Sequence, residues 1–264
     1  VNDSKGLYHC FGCKAGGNVI TFIQKFKNFS FPETIKYLSN YLGIDLVYED
    51  SEKFNLNTKL FRILNLANDL FVKNLKTNNY AINYLKSRKI NLESIDKFQI
   101  GFCPNDEKVI NYFSDFGISL EDLKKTDLFI NKEDNNFFGR FKERITFPIF
   151  NYSNKIVAFG ARSLGASKIK YINSQESSIF KKSEILFGLT QNYEVIKKNR
   201  ELILVEGYMD VISMYQNNFK CALSSMGTSL SSNQINKLWN LVDVPFVCFD
   251  GDQAGQESSK KIAL

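Results

Sequence analysis

Three short apolar segments near the end of the chain, each followed by a polar turn, decide its fold class. They read ELILVEGYMDVISMYQ at 201–216, CALSSMG at 221–227 and PFVCFDGDQAG at 245–255. The apolar segments predict strands at 202–205, 221–224 and 246–249. Helical patterns at 209–216 and 233–241, and a helix start after Gly255, lie between and after these strands. Such alternation is typical of a parallel sheet, so this region predicts an α/β fold built from βαβ units.

Acidic residues follow the first and third of these predicted strands. Glu206 ends the first, and Asp250 and Asp252 follow the third. Ligands of an open parallel sheet bind at the carboxyl ends of its strands, and side chains two residues apart point the same way. Because carboxylate oxygens suit Mg²⁺ or Mn²⁺ better than zinc, the three acids predict such a metal site. The alternative is a polar loop beside a helix N-terminal charge.

The composition is that of an ordinary globular protein. The chain has 264 residues, of which 44% are hydrophobic and 23% are charged, so intrinsic disorder is excluded. No signal peptide or long apolar run is visible, which predicts a soluble, cytoplasmic protein without a membrane partner. The formal net charge of +6 is a mild bias toward polyanionic partners that many unrelated proteins share.

Residues 7–17 predict a tight metal-binding turn. Cys10 and Cys13 form a Cys-x-x-Cys pair, and Gly16 and Gly17 then free the backbone to turn. In a chain with five cysteines, this spacing fits a zinc site better than a disulfide framework. The other three cysteines are predicted to be buried as small apolar side chains, and they are Cys103, Cys221 and Cys248.

The rest of the chain predicts helices first and then a meander. One helix follows over 19–26, and a second begins at a capping box formed by Ser30 and Glu33 and ends near Gly43. Residues 47–57 are polar and lack periodicity, which favours a linker. Further helical patterns occupy 60–75, 80–88, 92–98 and 108–116, and strands flank a turn at 151–155.

The motifs together resemble those of bacterial DnaG-type primases. The Toprim domain of that family is similar to Glu-Gly-Tyr-Met-Asp at 206–210, Ser-Met-Gly-Thr at 225–228 and Asp-Gly-Asp at 250–252. Residues 8–13 and 30–33 resemble the second half of its zinc-binding domain. Five upstream segments also match the family, and they are RFKERITFPI from 140, FGAR from 159, KYINS from 170, FKK from 180 and LFGL from 186.

This resemblance implies a mixed α+β chain of three parts. They are the second half of a zinc-ribbon domain at 1–46, followed by a linker at 47–58; a helical and β-meander subdomain of an RNA polymerase core at 59–198; and an incomplete Toprim domain at 199–264.

The resemblance also implies a DNA-directed RNA polymerase that synthesises short primers at the replication fork. The implied cofactors are a structural Zn²⁺ on Cys10 and Cys13 and a catalytic Mg²⁺ or Mn²⁺ on the three acids. The implied partners are single-stranded DNA, ribonucleoside triphosphates and, through a C-terminal domain that this sequence does not contain, the replicative helicase. Such a protein would act in the replisome.

The segments that resemble the family's basic motifs supply candidates for binding template and nucleotide. These candidates are Arg140, Arg144, Arg162, Lys170, Asn173 and Lys182. For any one lysine of so Lys-rich a chain, a solvated surface position is the alternative. Asp210, in the first turn of the helix after Glu206, is a candidate to support the metal-binding acids, with helix capping as its alternative role.

Two family motifs have no counterpart in the sequence. A Cys-x-x-His pair is expected before Val1 and an Asp-x-Asp motif after Leu264, so the chain is expected to be an internal fragment. A phage or plasmid primase-helicase is an alternative that would need a P-loop further downstream. A non-catalytic, zinc-dependent single-strand-binding Toprim protein is another alternative. A topoisomerase ranks lowest because no nucleophilic tyrosine can be nominated.

Overall fold

The computed structural model describes residues 1–44, 51–131, 137–165, 167–227 and 230–263. The chain divides into two compact units. The first comprises 1–55 with 151–155, and the second comprises 56–150 with 156–264. Among the described residues, no helix combines the length and the apolar composition that a membrane span requires.

The first unit contains a small hairpin followed by two helices. Strands β1 (Leu7–His9) and β2 (Gly16–Asn18) pair antiparallel. Helix α1 (Val19–Lys27) follows at once, and α2 (Phe31–Leu42) begins at the Ser30 and Glu33 capping box. Helix α2 ends at Gly43, whose φ of 66° lies in the left-handed region. Both predicted helices and their caps are confirmed.

The second unit begins with helices. They are α3 (Ser51–Thr77), which starts in the first unit, α4 (Asn79–Ser87), α5 (Leu92–Lys97), α6 (Asp106–Ser114) and α7 (Leu120–Lys125). The linker predicted at 47–58 is therefore wrong for residues 51–58, which are helical. That stretch is polar but contains neither glycine nor proline, so nothing in it prevents a helix. Residues 45–50 lie outside the described part of the chain.

An antiparallel sheet follows these helices. Its strands are β3 (Gly101–Phe102), β6 (Arg144–Phe150), β7 (Ile156–Ser163) and β8 (Tyr171–Asn173), in the order β3-β6-β7-β8. A separate hairpin pairs β4 (Phe129–Asn131) with β5 (Phe137–Gly139). The register places Phe147 opposite Gly160 and Arg162 opposite Tyr171. The predicted meander is confirmed.

The last part of the chain alternates strands and helices, as the sequence predicts. After α8 (Leu189–Asn199) come β9 (Ile203–Val205), α9 (Tyr208–Gln216), β10 (Ala222–Ser224), α10 (Ser232–Leu241), β11 (Phe246–Val247) and α11 (Gln253–Ala263). The strands form a parallel sheet in the order β10-β9-β11. The predicted α/β character of this region is therefore confirmed.

The core of the second unit lies on both faces of the antiparallel sheet. One apolar cluster joins Ile63 and Phe71 of α3 to Phe159 of β7. The other joins Phe147 of β6 to Tyr208 and other residues of α9. The second cluster fixes the parallel sheet against the antiparallel sheet, and it thereby positions the two walls of the cleft described below.

The cysteine predictions are confirmed at two positions and wrong at the third. Cys103 and Cys221 are buried, whereas Cys248 is exposed. Cys248 directly follows β11, which is an edge strand of the parallel sheet, and Phe246 and Val247 of that strand are exposed as well. An apolar strand thus does not guarantee burial at the edge of a sheet.

Candidate active site

A cleft of about 430 Å³ opens where the carboxyl ends of the parallel strands face β8. Its walls come from the end of β8, the β9–α9 turn, the β10–α10 loop and the segment after β11. The residues that line it are Tyr171, Asn173, Glu206, Gly207, Tyr208, Met209, Asp210, Met226, Gly227, Phe249, Asp250 and Ser258. The cleft therefore lies where ligands of an open parallel sheet are expected.

Glu206 and Asp250 are adjacent in this cleft. The Glu206 carboxylate accepts a hydrogen bond from the backbone N–H of Asp250 at 3.0 Å. The Glu206 carbonyl accepts another from the Ser224 hydroxyl at 2.6 Å, which connects it to β10. Gly255 of α11 packs so closely that a Cβ there would lie 2.1 Å from the Asp250 carbonyl oxygen and 2.8 Å from Glu206 Oε1. These contacts fix the two acids relative to each other.

Asp252 lies two residues after Asp250 in the sequence, but its carboxylate makes a different contact. Its Oδ1 accepts a hydrogen bond from the Gly255 N–H at 2.8 Å, so it caps the start of α11, and it does not line the cleft. Within the described ranges, no three His, Cys, Asp or Glu side chains are grouped closely enough to hold a metal ion. The structure thus brings Glu206 and Asp250 together and leaves Asp252 at the helix end.

The donor chemistry of the cleft fits a hard divalent cation. Glu206 and Asp250 both line it and offer carboxylate oxygens, which are the ligands that Mg²⁺ and Mn²⁺ prefer. Among the described residues, no thiol or imidazole lines the cleft, so zinc lacks its two commonest protein ligands there.

Asp210 caps a helix and also lines the cleft. Its carboxylate accepts a hydrogen bond from the Gly207 N–H at 2.9 Å, which caps α9, and it also lines the cleft. Burial raises the pKa of Asp210, the Gly207 N–H opposes this effect, and the charge of Asp250 adds to it. The effect of the Asp250 charge shows that the Asp210 carboxylate lies near the acids of the cleft.

Tyr208 joins the two walls of the cleft. Its ring is 4% exposed, stacks on Phe147 with 5.2 Å between ring centroids, and its hydroxyl donates a hydrogen bond to Asn173 Oδ1. Gly160 makes room for this ring, because a Cβ there would lie 2.4 Å from Tyr208 Cζ. Since Oδ1 of Asn173 accepts from Tyr208, its Nδ2 is the atom left to donate to a ligand.

Sequence reasoning assigned no role to Tyr208 or Gly160. The available sign was a glycine in the middle of the otherwise bulky strand Ile156–Ser163. Such a glycine often marks a close approach by another group. The identity of that group is a tertiary fact, because Tyr208 is distant in sequence.

Arg162 borders the cleft through Tyr171. Its guanidinium donates hydrogen bonds to the hydroxyls of Tyr84 and Tyr171 and lies 4.6 Å from the centroid of the Tyr171 ring. Arg144 instead donates to the carbonyls of Ile169, at 3.1 Å, and Lys170, at 3.4 Å. Arg144 therefore supports the segment that leads into β8, and Lys170 is an exposed residue of that segment.

Lys182 lies beside the cleft, whereas Arg140 does not. A Cβ on Gly227, which lines the cleft, would lie 3.0 Å from Lys182 Nζ, so this ammonium is at the cleft wall. Arg140 forms an ion pair with Asp127 at 2.6 Å, and both side chains are 14% exposed. The structure places Lys182, but not Arg140, beside the cleft that the acidic residues line.

The two cysteines of the first unit lie in the loop between β1 and β2. Both are exposed, and the Cys10 N–H donates to the Ala15 carbonyl at 2.7 Å. Hydrogen bonds from the backbone and side chain of Cys13 lower the pKa of Cys10. Because the thiolate is the form that binds metals, this turn fits zinc.

Three protein-family models match successive parts of the chain. Residues 1–54 match a CHC2 zinc finger, residues 70–193 match the N-terminal domain of a DNA primase catalytic core, and residues 203–264 match a Toprim-like domain. The DNA primase of Rickettsia felis is 39% identical over 98% of this chain and 44% of its own length. That of Helicobacter pylori is 35% identical over 100% of this chain and 47% of its own.

Comparison with solved structures also finds similarity to primases. The zinc-binding and RNA polymerase domains of Aquifex aeolicus primase match 98% of this chain and 64% of that chain, with a TM-score of 0.74 and 32% identity. A DnaG primase catalytic domain bound to single-stranded DNA matches 78% of this chain and 67% of that one, with a TM-score of 0.71 and 30% identity. This chain belongs to the family of bacterial DnaG-type DNA primases. It spans less than half the length of the curated relatives named above.

Proposed function

We propose that this protein synthesises RNA primers on single-stranded DNA by metal-dependent nucleotidyl transfer. The observation that carries the proposal is the cleft that Glu206, Asp250 and Asn173 line together, with Lys182 beside its wall at Gly227. Family membership supports it, as does the relative whose structure contains single-stranded DNA. Two carboxylates, an amide donor and a nearby ammonium suit a metal-bound triphosphate.

The reaction is an in-line attack of a primer 3′-hydroxyl on the α-phosphate of an incoming ribonucleotide. Glu206 and Asp250 would hold a divalent ion, which would supply charge neutralisation for the phosphates and the leaving pyrophosphate. Asn173 Nδ2 donates to an acceptor oxygen of the nucleotide, and Lys182 attracts its phosphates. Glu206 has the alternative role of accepting the proton of the attacking hydroxyl.

The template path is proposed on the β7–β8 side of the cleft. Arg162 and Tyr171 lie there, so a guanidinium and an aromatic ring are in contact, and the exposed Lys170 directly precedes Tyr171 in the chain. Such a combination holds a single strand through phosphate contacts and base stacking. Arg144 supports this segment through its hydrogen bonds to the carbonyls of Ile169 and Lys170. Arg140 is proposed to contact nucleic acid only at a distance from the acids. Contact with a replicative helicase and residence in the replisome stay predictions.

The direct test is RNA synthesis by the full-length protein on a single-stranded template with four ribonucleoside triphosphates and Mg²⁺. We expect short RNA products complementary to the template, and none with a chelator or a fully duplex template. Binding to single-stranded DNA without any RNA product would contradict the proposal. That result would favour the alternative of a non-catalytic Toprim binding protein.

Replacement of Cys13 in the turn between β1 and β2 tests the zinc proposal. We expect Cys13→Ser to retain less than about a tenth of the zinc of the unsubstituted protein, because zinc sites lose most of their affinity when a thiolate is removed. Zinc content is measured by metal analysis after dialysis. Cys248→Ser is the matched control, since Cys248 is also exposed. Equal zinc content in the Cys13 variant and the control would refute the assignment.

A further inference from the structure

A single face of α10 holds the turn that carries Lys182. Residues Lys182–Glu184 form a short 3-10 turn. The carbonyls of the four consecutive residues 182–185 each accept a hydrogen bond from a side chain of α10 or of its N-cap. Ser231 donates to the carbonyl of residue 183, Gln234 to those of 182 and 185, and Lys237 to that of 184.

Gln234 is at the centre of this contact. The residue is 2% exposed, and its Nε2 donates to the Lys182 carbonyl at 3.1 Å and to the Ile185 carbonyl at 2.8 Å. Its Oε1 accepts from the Ser231 N–H at 3.0 Å. Both amide hydrogens and the amide oxygen are therefore used. Reversing the amide would place its oxygen against two carbonyl oxygens, so the orientation of Gln234 is fixed.

The loop that precedes the same helix provides the neighbour of the Lys182 ammonium at the cleft wall. The loop from β10 to α10 contains Gly227, whose position lies next to Lys182 Nζ. The Lys182 backbone N–H donates to the Glu176 carboxylate at 3.2 Å, which holds the turn from its other side. The backbone of Lys182 is thus fixed while its long side chain extends toward the cleft.

A fixed backbone matters for a lysine that binds a ligand, because the side chain has four rotatable bonds. Ordering that stem on a ligand costs conformational entropy, and a mobile backbone would add to the cost. We infer that Gln234 is a positioning residue that holds the Lys182 turn so that the ammonium meets the phosphates of a ribonucleoside triphosphate. This inference rests on the proposed function, because it takes the ligand of the cleft to be such a nucleotide.

A double-mutant cycle on the full-length protein tests the inference. It compares Gln234→Ala, Lys182→Ala and the double variant in ATP binding at equilibrium and in initial rates of RNA synthesis. We expect Gln234→Ala to weaken ATP binding and to raise KM by about fivefold, with kcat changed by less than about twofold. In the Lys182→Ala background, the same change should add less than about 1.5-fold, because the partner through which Gln234 acts is gone.

Two further variants make the test specific. Gln234→Glu should weaken ATP binding more than Gln234→Ala does, since it places an acceptor against two carbonyls. Asn236→Ala, on the exposed side of α10, is the matched control and should bind ATP as the unsubstituted protein does.

The outcomes separate this inference from the proposed function. Additive effects of Lys182→Ala and Gln234→Ala on ATP binding would overturn the inference. A lower melting temperature of Gln234→Ala with unchanged ATP affinity would also overturn it, because it would show a purely structural role. Absence of RNA synthesis by the unsubstituted protein would contradict the proposed function, and the ATP-binding cycle would still decide the role of Gln234.

Discussion

Asp250→Asn should reduce primer synthesis by at least about a thousandfold, because it removes a charge from the proposed metal site. The substitution keeps the size of the side chain. It also keeps the backbone N–H of residue 250 that donates to Glu206, so the fold around the cleft should persist. The measurement is the initial rate of RNA synthesis at saturating template and nucleotide, with a melting curve to show that the variant is folded.

Asp252→Asn should reduce synthesis less than Asp250→Asn does, because Asp252 does not line the cleft and contributes only a charge near it. The amide oxygen of asparagine can still accept from the Gly255 N–H, so the cap of α11 is preserved and a loss reports the missing charge. Asp243→Asn is the control for both variants, since its side chain is 84% exposed and lies outside the cleft. Unimpaired synthesis by Asp250→Asn would refute the metal site proposed here.

Gly160→Ala should lower the free energy of unfolding by about 3 kcal/mol, an effect typical of severe overpacking. The new methyl group would lie 2.4 Å from Tyr208 Cζ and 2.5 Å from the Tyr208 hydroxyl oxygen. Because the ring is stacked on Phe147, it has no free space into which it can move. Equilibrium unfolding in urea measures the difference.

Gly165→Ala is the matched control for this prediction. No atom lies within 4 Å of a Cβ built at Gly165, so this change should alter stability by less than about 0.5 kcal/mol. Equal stabilities of the two variants would show that Tyr208 does not pack on Gly160 as described.

The parallel sheet and the first two helices could be predicted because their determinants are local. Alternating apolar strands and helices mark β9 to α11, and a capping box and a glycine mark the ends of α2. The adjacency of Glu206 and Asp250 followed from the rule that parallel strands end at one edge of a sheet. The position of Asp252 did not, because one backbone N–H of α11 captures its carboxylate.

The features that sequence reasoning missed depend on partners distant in the chain. Gln234 looks like an ordinary polar helix residue until the 182–185 turn is placed against it. Arg140 belongs to a basic motif, yet Asp127 forms an ion pair with it away from the cleft. Cys248 follows an apolar strand, but the exposure of that strand depends on its place at the sheet edge.

The apolar cluster shared by β6 and α9 has a thermodynamic consequence. Because Phe147 and Tyr208 belong to one core, opening the parallel sheet removes packing from the antiparallel sheet as well. The two walls of the cleft, one from the parallel sheet and one from the antiparallel sheet, should therefore exchange their backbone amide hydrogens as one cooperative block. A nucleotide that bridges the walls binds only the closed block, so it should slow exchange on both sides together, far beyond the residues it touches.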